Sequence, residues 1–114
     1  MALKEFRRAL TIALDHYLAE AKVTIEEKRG VVLTCRAKID ADTFVAVYFN
    51  ALTEKTSYAL IYRGQRVAGY DNYKFWHHHP VGEPEQHIPC PKPAPGDVIA
   101  ELAQVAHQIV RSEQ

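Results

Sequence analysis

Leu3, Phe6, Leu10, Ala13, Leu14, Tyr17, Leu18 and Ala21 recur at helical spacing, with Arg7, Arg8, Thr11, Asp15 and Glu20 between them. Apolar residues three and four apart share one side of a helix, so the spacing predicts an amphipathic helix over residues 3–21. The period then falls to two. Val31, Leu33, Cys35, Ala37 and Ile39 alternate with Thr34, Arg36 and Lys38, and Phe44–Phe49 is a β-branched and aromatic run. Ser57–Tyr62 and Arg66–Tyr70 flank the short Gly-containing loop Arg63-Gly64-Gln65, a hairpin signal. With Val23 and Ile25 opening the series, four to five strands joined by short links predict an antiparallel meander, because parallel neighbours need long crossovers. Helical spacing returns at Val98, Leu102, Val105 and Ile109, after Pro95 in a position suited to the first helical turn. This predicts a second helix over 96–111.

Between sheet and last helix the composition changes. All six prolines, Pro80, Pro84, Pro89, Pro91, Pro93 and Pro95, follow Tyr70, together with His77, His78, His79 and His87. Proline removes a donor and bars regular interiors, so residues 72–95 are expected to form an ordered but irregular arm. Tyr73, Phe75 and Trp76 give that arm apolar surface to pack on the sheet. The order α, strands, α defines an α+β class: N-terminal helix, antiparallel four- to five-stranded meander, irregular His/Pro-rich arm, C-terminal helix. At 114 residues the chain fits one domain, 1–114. Two helices cover one sheet face, which leaves the other for the arm, a partner or a substrate.

Charge narrows the choice of partners. Fourteen Lys and Arg balance fourteen Asp and Glu, so no global field draws the chain to nucleic acid or an anionic membrane. Any RNA contact must come from a local patch. No apolar run approaches the roughly 20 residues of a membrane helix. Cys35 and Cys90 are too few for a disulfide scaffold and form no CxxC pair, which favours a cytoplasmic setting with reduced thiols. Cys35, inside a strand pattern, reads as a small core residue.

The chemistry-bearing stretch is Gly69-Tyr70-Asp71-Asn72-Tyr73-Lys74-Phe75-Trp76-His77-His78-His79-Pro80, with Glu85-Gln86-His87-Ile88-Pro89-Cys90 behind it. Three readings compete. In a metal site, His77 and His79 point the same way in extended backbone, His87 returns as a third ligand, and Cys90 or Asp71 is the fourth. Zinc or another transition metal is the candidate ion, but the spacing matches no paired zinc motif, so no metal and no cofactor is the preferred expectation. In metal-free acid–base catalysis, a neutral histidine takes a proton and a protonated one returns it, Asp71 orients a ring, and Arg36, Arg63, Arg66 or Lys74 faces phosphate charge. In the third reading the rings and aromatics only pack the arm onto the sheet. Pro80, Gly82 and Pro84 favour a chain reversal, so His79 and His87 are expected to approach one another beside Asp71. His16 and His107 read as ordinary helix-surface residues.

The stretch from Tyr58 to the C-terminus resembles the TumE family, small proteins assigned as toxin components of toxin–antitoxin pairs. The resemblance rests on the hairpin Ser57-Tyr58-Ala59-Leu60-Ile61-Tyr62, the corner Tyr70-Asp71-Asn72, a pair within His77-His78-His79, and the later segment Glu85-Gln86-His87-Ile88-Pro89. Residues before Tyr58 match only in layout. Many relatives carry two or three histidines in the later segment, whereas this chain has only His87. The resemblance implies a cognate antitoxin, a helix-turn-helix protein, as partner. The layout also looks like RelE/barnase-type ribonucleases, an analogy of fold alone. The leading expectation is a TumE-like toxin component acting as a metal-independent ribonuclease. His77, His79 and His87 transfer protons, Asp71 orients them, and Tyr70, Lys74, Arg63 and Arg66 contact substrate. The alternative is a non-catalytic protein- or metal-binding module that docks through the His/aromatic arm. A homodimer is compatible with either.

Overall fold

The computed structural model describes residues 1–112 and has the order α1 (Leu3–Tyr17), β1 (Lys22–Lys28), β2 (Val32–Lys38), β3 (Thr43–Asn50), β4 (Thr56–Tyr62), β5 (Gln65–Asp71), β6 (His77–His79), β7 (Ile88–Pro89) and α2 (Pro95–Ser112). The strands form one antiparallel sheet in chain order, β1 to β7. The α+β class is as read from the sequence, with two corrections. The sheet has seven strands, because part of the arm joins it: His77–His79 pairs with Gly69–Asp71, and Ile88–Pro89 pairs with His77–His78. Proline is tolerated in β7 because the strand lies at the sheet edge. The first helix also stops at Tyr17, four residues short of the expected end, although Leu18 still reaches the core.

Period two decides which side chains meet the helices. Leu33, Cys35 and Ala37 of β2, Val45, Val47 and Phe49 of β3, Tyr58 and Leu60 of β4 and Ala68 of β5 are buried. They share one core with Phe6, Leu10 and Leu14 of α1 and Val98, Ile99 and Leu102 of α2. Phe6 stacks on Phe49 with ring centroids 4.2 Å apart. Burial pushes the Cys35 thiol up to about 11, which keeps it protonated and fits its reading as a core residue. Ile109, near the C-terminal end of α2, is only partly buried. Leu14 is 2% exposed, so Leu14→Ala is expected to cost about 2–5 kcal/mol. An unchanged urea midpoint would contradict the placement of α1.

The alternate residues face away from both helices, so one sheet face is left open. The β4–β5 turn is tight: Arg63 and Gly64 both adopt positive φ, 50° and 79°. A bulge follows, with Leu60 opposite Ala68 and Ile61 opposite Arg66, so Val67 is the extra residue. Gly69 lies opposite Ala59, and a Cβ there would sit 2.4 Å from the Tyr58 carbonyl oxygen. Only glycine permits that approach. Among the described residues no helix is long and apolar enough to cross a membrane.

Candidate functional site

The site is assembled where β5 ends and β6 begins. Asp71 pairs with His77 across the ladder and Gly69 pairs with His79, which sets Asp71, His77 and His79 on the open face. Tyr70 and His78, one residue out of phase, face the helix side, with rings 5.7 Å apart. Between His79 and β7 the chain turns back at Gly82, whose φ is 85°. That reversal returns His87 to the other two rings. His87 stacks on His77 at 4.6 Å with planes 16° apart, and lies edge-on to His79 at 4.8 Å. His77 and His79 are 5.0 Å apart. The approach of His79 and His87 beside Asp71, expected from the Pro/Gly content of the loop, is present.

The three rings differ in setting. His77 and His79 are buried, at 2% and 3% exposure, while His87 is exposed. His79 Nδ1 lies 2.9 Å from the Pro84 carbonyl oxygen and Nε2 lies 2.9 Å from Asp71 Oδ2. His77 Nδ1 lies 2.9 Å from the Phe75 carbonyl oxygen and Nε2 lies 3.0 Å from Asp71 Oδ1. Each buried ring is therefore flanked by two acceptors. Donation from both nitrogens is complete only in the doubly protonated ring. One carboxylate thus bridges two imidazoles, and the exposed His87 closes the cluster from outside.

Burial alone would push the Asp71 carboxyl up. The hydrogen bond with His79, the backbone N–H of Tyr73 at 3.0 Å, and the charges of His77 and His79 outweigh it, holding the group below the ordinary 3.8. The consequence for stability has a definite sign. The unfolded carboxyl takes its proton first on acidification, so the contribution is whole above the ordinary value and is lost as pH falls through the folded one. Urea midpoints should drop between about pH 5 and pH 2 in wild type and change less in Asp71→Asn. Equal slopes in the two proteins would contradict the bridging role.

The other residues expected at the site are divided. Arg66 Nη2 donates to the Pro84 carbonyl oxygen at 3.3 Å, the same oxygen that holds His79 Nδ1, so this cation borders the cluster. Lys74 sits in the β5–β6 turn with φ 68° and its Nζ over the Tyr73 ring at 5.6 Å. Phe75 is half-exposed and meets the His77 ring edge-on at 5.2 Å, whereas Trp76 packs against the core. Arg63 lies at the opposite end of β5, beside Asp42 at 3.6 Å and over the Tyr62 ring. Tyr70 donates its hydroxyl to Glu101 of α2 at 3.2 Å, and burial together with that bond pushes the phenol up to about 12. The structure therefore places Arg63 and Tyr70 apart from His77, His79 and His87, Tyr70 lying instead beside His78 on the helix side. Sequence reasoning missed the two carbonyl anchors, Phe75 and Pro84, because backbone partners leave no residue-type signal.

His77, His79 and His87 each offer a ring nitrogen within 4.8 Å of the others, so among the described residues these three form a set that could hold a metal ion. Donors bound to one zinc ion at about 2.0–2.1 Å lie no more than about 4.2 Å apart, so the widest pair would have to close in. Cys90 is partly buried, its backbone N–H bonded to the Trp76 carbonyl oxygen. Comparison with family models, curated proteins and solved structures returned no match.

Proposed function

We propose that the chain is a TumE-like toxin component that cuts RNA by metal-independent histidine chemistry. The observation that carries this reading is the pairing of one exposed imidazole, His87, with a buried, carboxylate-bridged pair, His77 and His79. Metal-free cleavage of RNA needs a base for the 2′-hydroxyl and positive charge facing the phosphorane. His87 is the base, because it alone of the three rings faces solvent. It removes the 2′-hydroxyl proton, the oxygen attacks phosphorus, and the 5′-oxygen leaves with a proton from solvent. The products are a 2′,3′-cyclic phosphate and a 5′-hydroxyl. His77 and His79, held by Asp71 and two carbonyls, are fixed in place beside that reaction, and Arg66 supplies a cation at its border. A cytoplasmic setting and a helix-turn-helix antitoxin covering the cluster belong to the same reading. They rest on the resemblance carried by Tyr70-Asp71-Asn72, His77-His78-His79 and the His87 segment.

The test is end-group analysis of a single-stranded RNA after incubation with the protein. Cyclic phosphate ends are expected, and a strand with one 2′-deoxy position should resist cutting there. Cleavage at that position would require a different nucleophile and reject the mechanism.

One observation favours a second reading, a metal-binding module. The Nδ1 atoms of His77 and His79 both face carbonyl oxygens, the arrangement that orients metal-ligating histidines, and an ion would take the Nε2 atoms from Asp71. Elemental analysis of untagged protein separates the two readings. The ribonuclease reading expects substoichiometric zinc. One bound ion per chain would favour the module.

A further inference from the structure

Neutral net charge is the chief objection to an RNA-cutting protein, since phosphate contacts draw on a basic surface. The register of the sheet answers it. Cross-strand partners lie side by side on one face, so five open-face positions form a straight row: Arg36, Ala46, Ala59, Gly69 and His79. The neighbouring row is Thr34, Tyr48, Ser57, Asp71 and His77. A trough of about 450 Å³ lies over the first part of these rows, lined by Thr34, Arg36, Ala46, Tyr48, Ser57 and Ala59. Small side chains make its floor, and the histidine cluster lies beyond the trough, further along the same rows at β6. From β2 to β6 the row crosses four strand spacings, roughly 19 Å, the length of a few nucleotides.

Charge on this face is not neutral. Register sets Lys22, Lys28, Arg36 and Lys38 on the open side of β1 and β2, and Arg66 on that of β5. All five are exposed. Against them stand Glu26 and Asp71, and Asp71 is already engaged by His77 and His79. Aromatic surface accompanies the cations. The Arg36 guanidinium lies 4.2 Å from the centroid of the half-buried Phe44 ring, Tyr48 is half-buried beside the trough, and Phe75 abuts His77. Aromatic rings interleaved with arginine and lysine on an open sheet suit unpaired bases, which stack on the rings while phosphates meet the cations. A duplex buries its bases and offers them no such contact.

We propose that the open sheet face is a binding track for single-stranded RNA, which lies across the strands from Arg36 to the histidine cluster. The inference rests on the reading of that cluster as an RNA-cutting centre, and identifies the surface that delivers its substrate. Phosphates meet Arg36 and Lys38 at the far end, a base rests on Tyr48, and the scissile phosphate reaches His87.

The probe is a fluorescein-labelled ten-nucleotide RNA, 2′-O-methylated throughout so that it binds without being cut. Anisotropy at about 50 and 200 mM salt follows wild type, Arg36→Glu/Lys38→Glu, Tyr48→Ala and the helix-side control Lys4→Glu/Arg8→Glu. The open-face reversal should weaken binding at least tenfold and flatten the salt dependence, and Tyr48→Ala should weaken it about fivefold or more. The helix-side control should bind as wild type. Arg36→Ala, an exposed truncation, repeats the measurement should the reversal lower the melting temperature. Wild-type failure to bind, equal loss in the helix-side control, or equal competition by duplex RNA overturns the track. Cleavage of unmodified RNA, assayed in parallel, keeps the two readings apart. Cutting that survives the open-face reversal undiminished rejects the track and leaves the chemistry. Probe binding lost in that variant, with no cutting by wild type, rejects the chemistry and leaves the track.

Discussion

His87→Ala should lower RNA cleavage by about 10²–10⁴-fold while the melting temperature stays near wild type. The size follows from the role, since removing a positioned base commonly costs that much. The small effect on folding follows from the setting. His87 is exposed and meets the cluster through ring contacts with His77 and His79, and such contacts contribute about 1.5 kcal/mol at most. His79→Ala should behave differently, losing activity and stability together, because His79 is buried and bonded at both nitrogens. Steady-state cleavage of a defined RNA, alongside thermal unfolding of each variant, separates the two behaviours. If His87→Ala cuts like the parent, some other group is the base.

Asp71→Ala should cost roughly 3 kcal/mol of folding stability, the low end for breaking a buried ion pair. The low end applies because the Asp71 side chain keeps 21% exposure, while its partners keep 3% and 2%. Alanine leaves both Nε2 atoms without their acceptor in a place water barely reaches, and frees the backbone N–H of Tyr73. Asp71→Asn should cost less, since the amide oxygen still accepts one bond. Urea unfolding near pH 7 measures both. Equal midpoints for Asp71→Ala and wild type would show that the carboxylate does not hold the rings.

Much of this arrangement is readable in the residues. The change of period gave two helices and the four to five strands between them, whereas the bulge that matches Gly69 to Ala59 left no signal in the pattern. Extended backbone puts His77 and His79 on one side, and Pro80, Gly82 and Pro84 imply a reversal. The short strands β6 and β7 escaped because His77-His78-His79 and Ile88-Pro89 carry neither alternation nor β-branched length. Tyr70 was expected at the substrate. Period two from Asp71 places it on the helix side, where Glu101 takes its hydroxyl bond. Arg63 was grouped with Arg66 on closeness in sequence, but it lies in the β4–β5 turn, at the end of β5 away from the histidine cluster. The basic open face stayed hidden because a sum of charges ignores side: Glu27 faces α1 and pairs with Arg7, while Lys22, Lys28, Arg36 and Lys38 share the opposite face.

Whether the histidine cluster works without metal decides the proposed chemistry. Protein purified without a histidine tag, stripped with chelator and shown by elemental analysis to hold no transition metal, should cut single-stranded RNA at the untreated rate. The same preparation of His87→Ala should leave the RNA intact. Stripped protein that is inactive until zinc or another divalent ion is restored would contradict the account, and would make His77, His79 and His87 metal ligands.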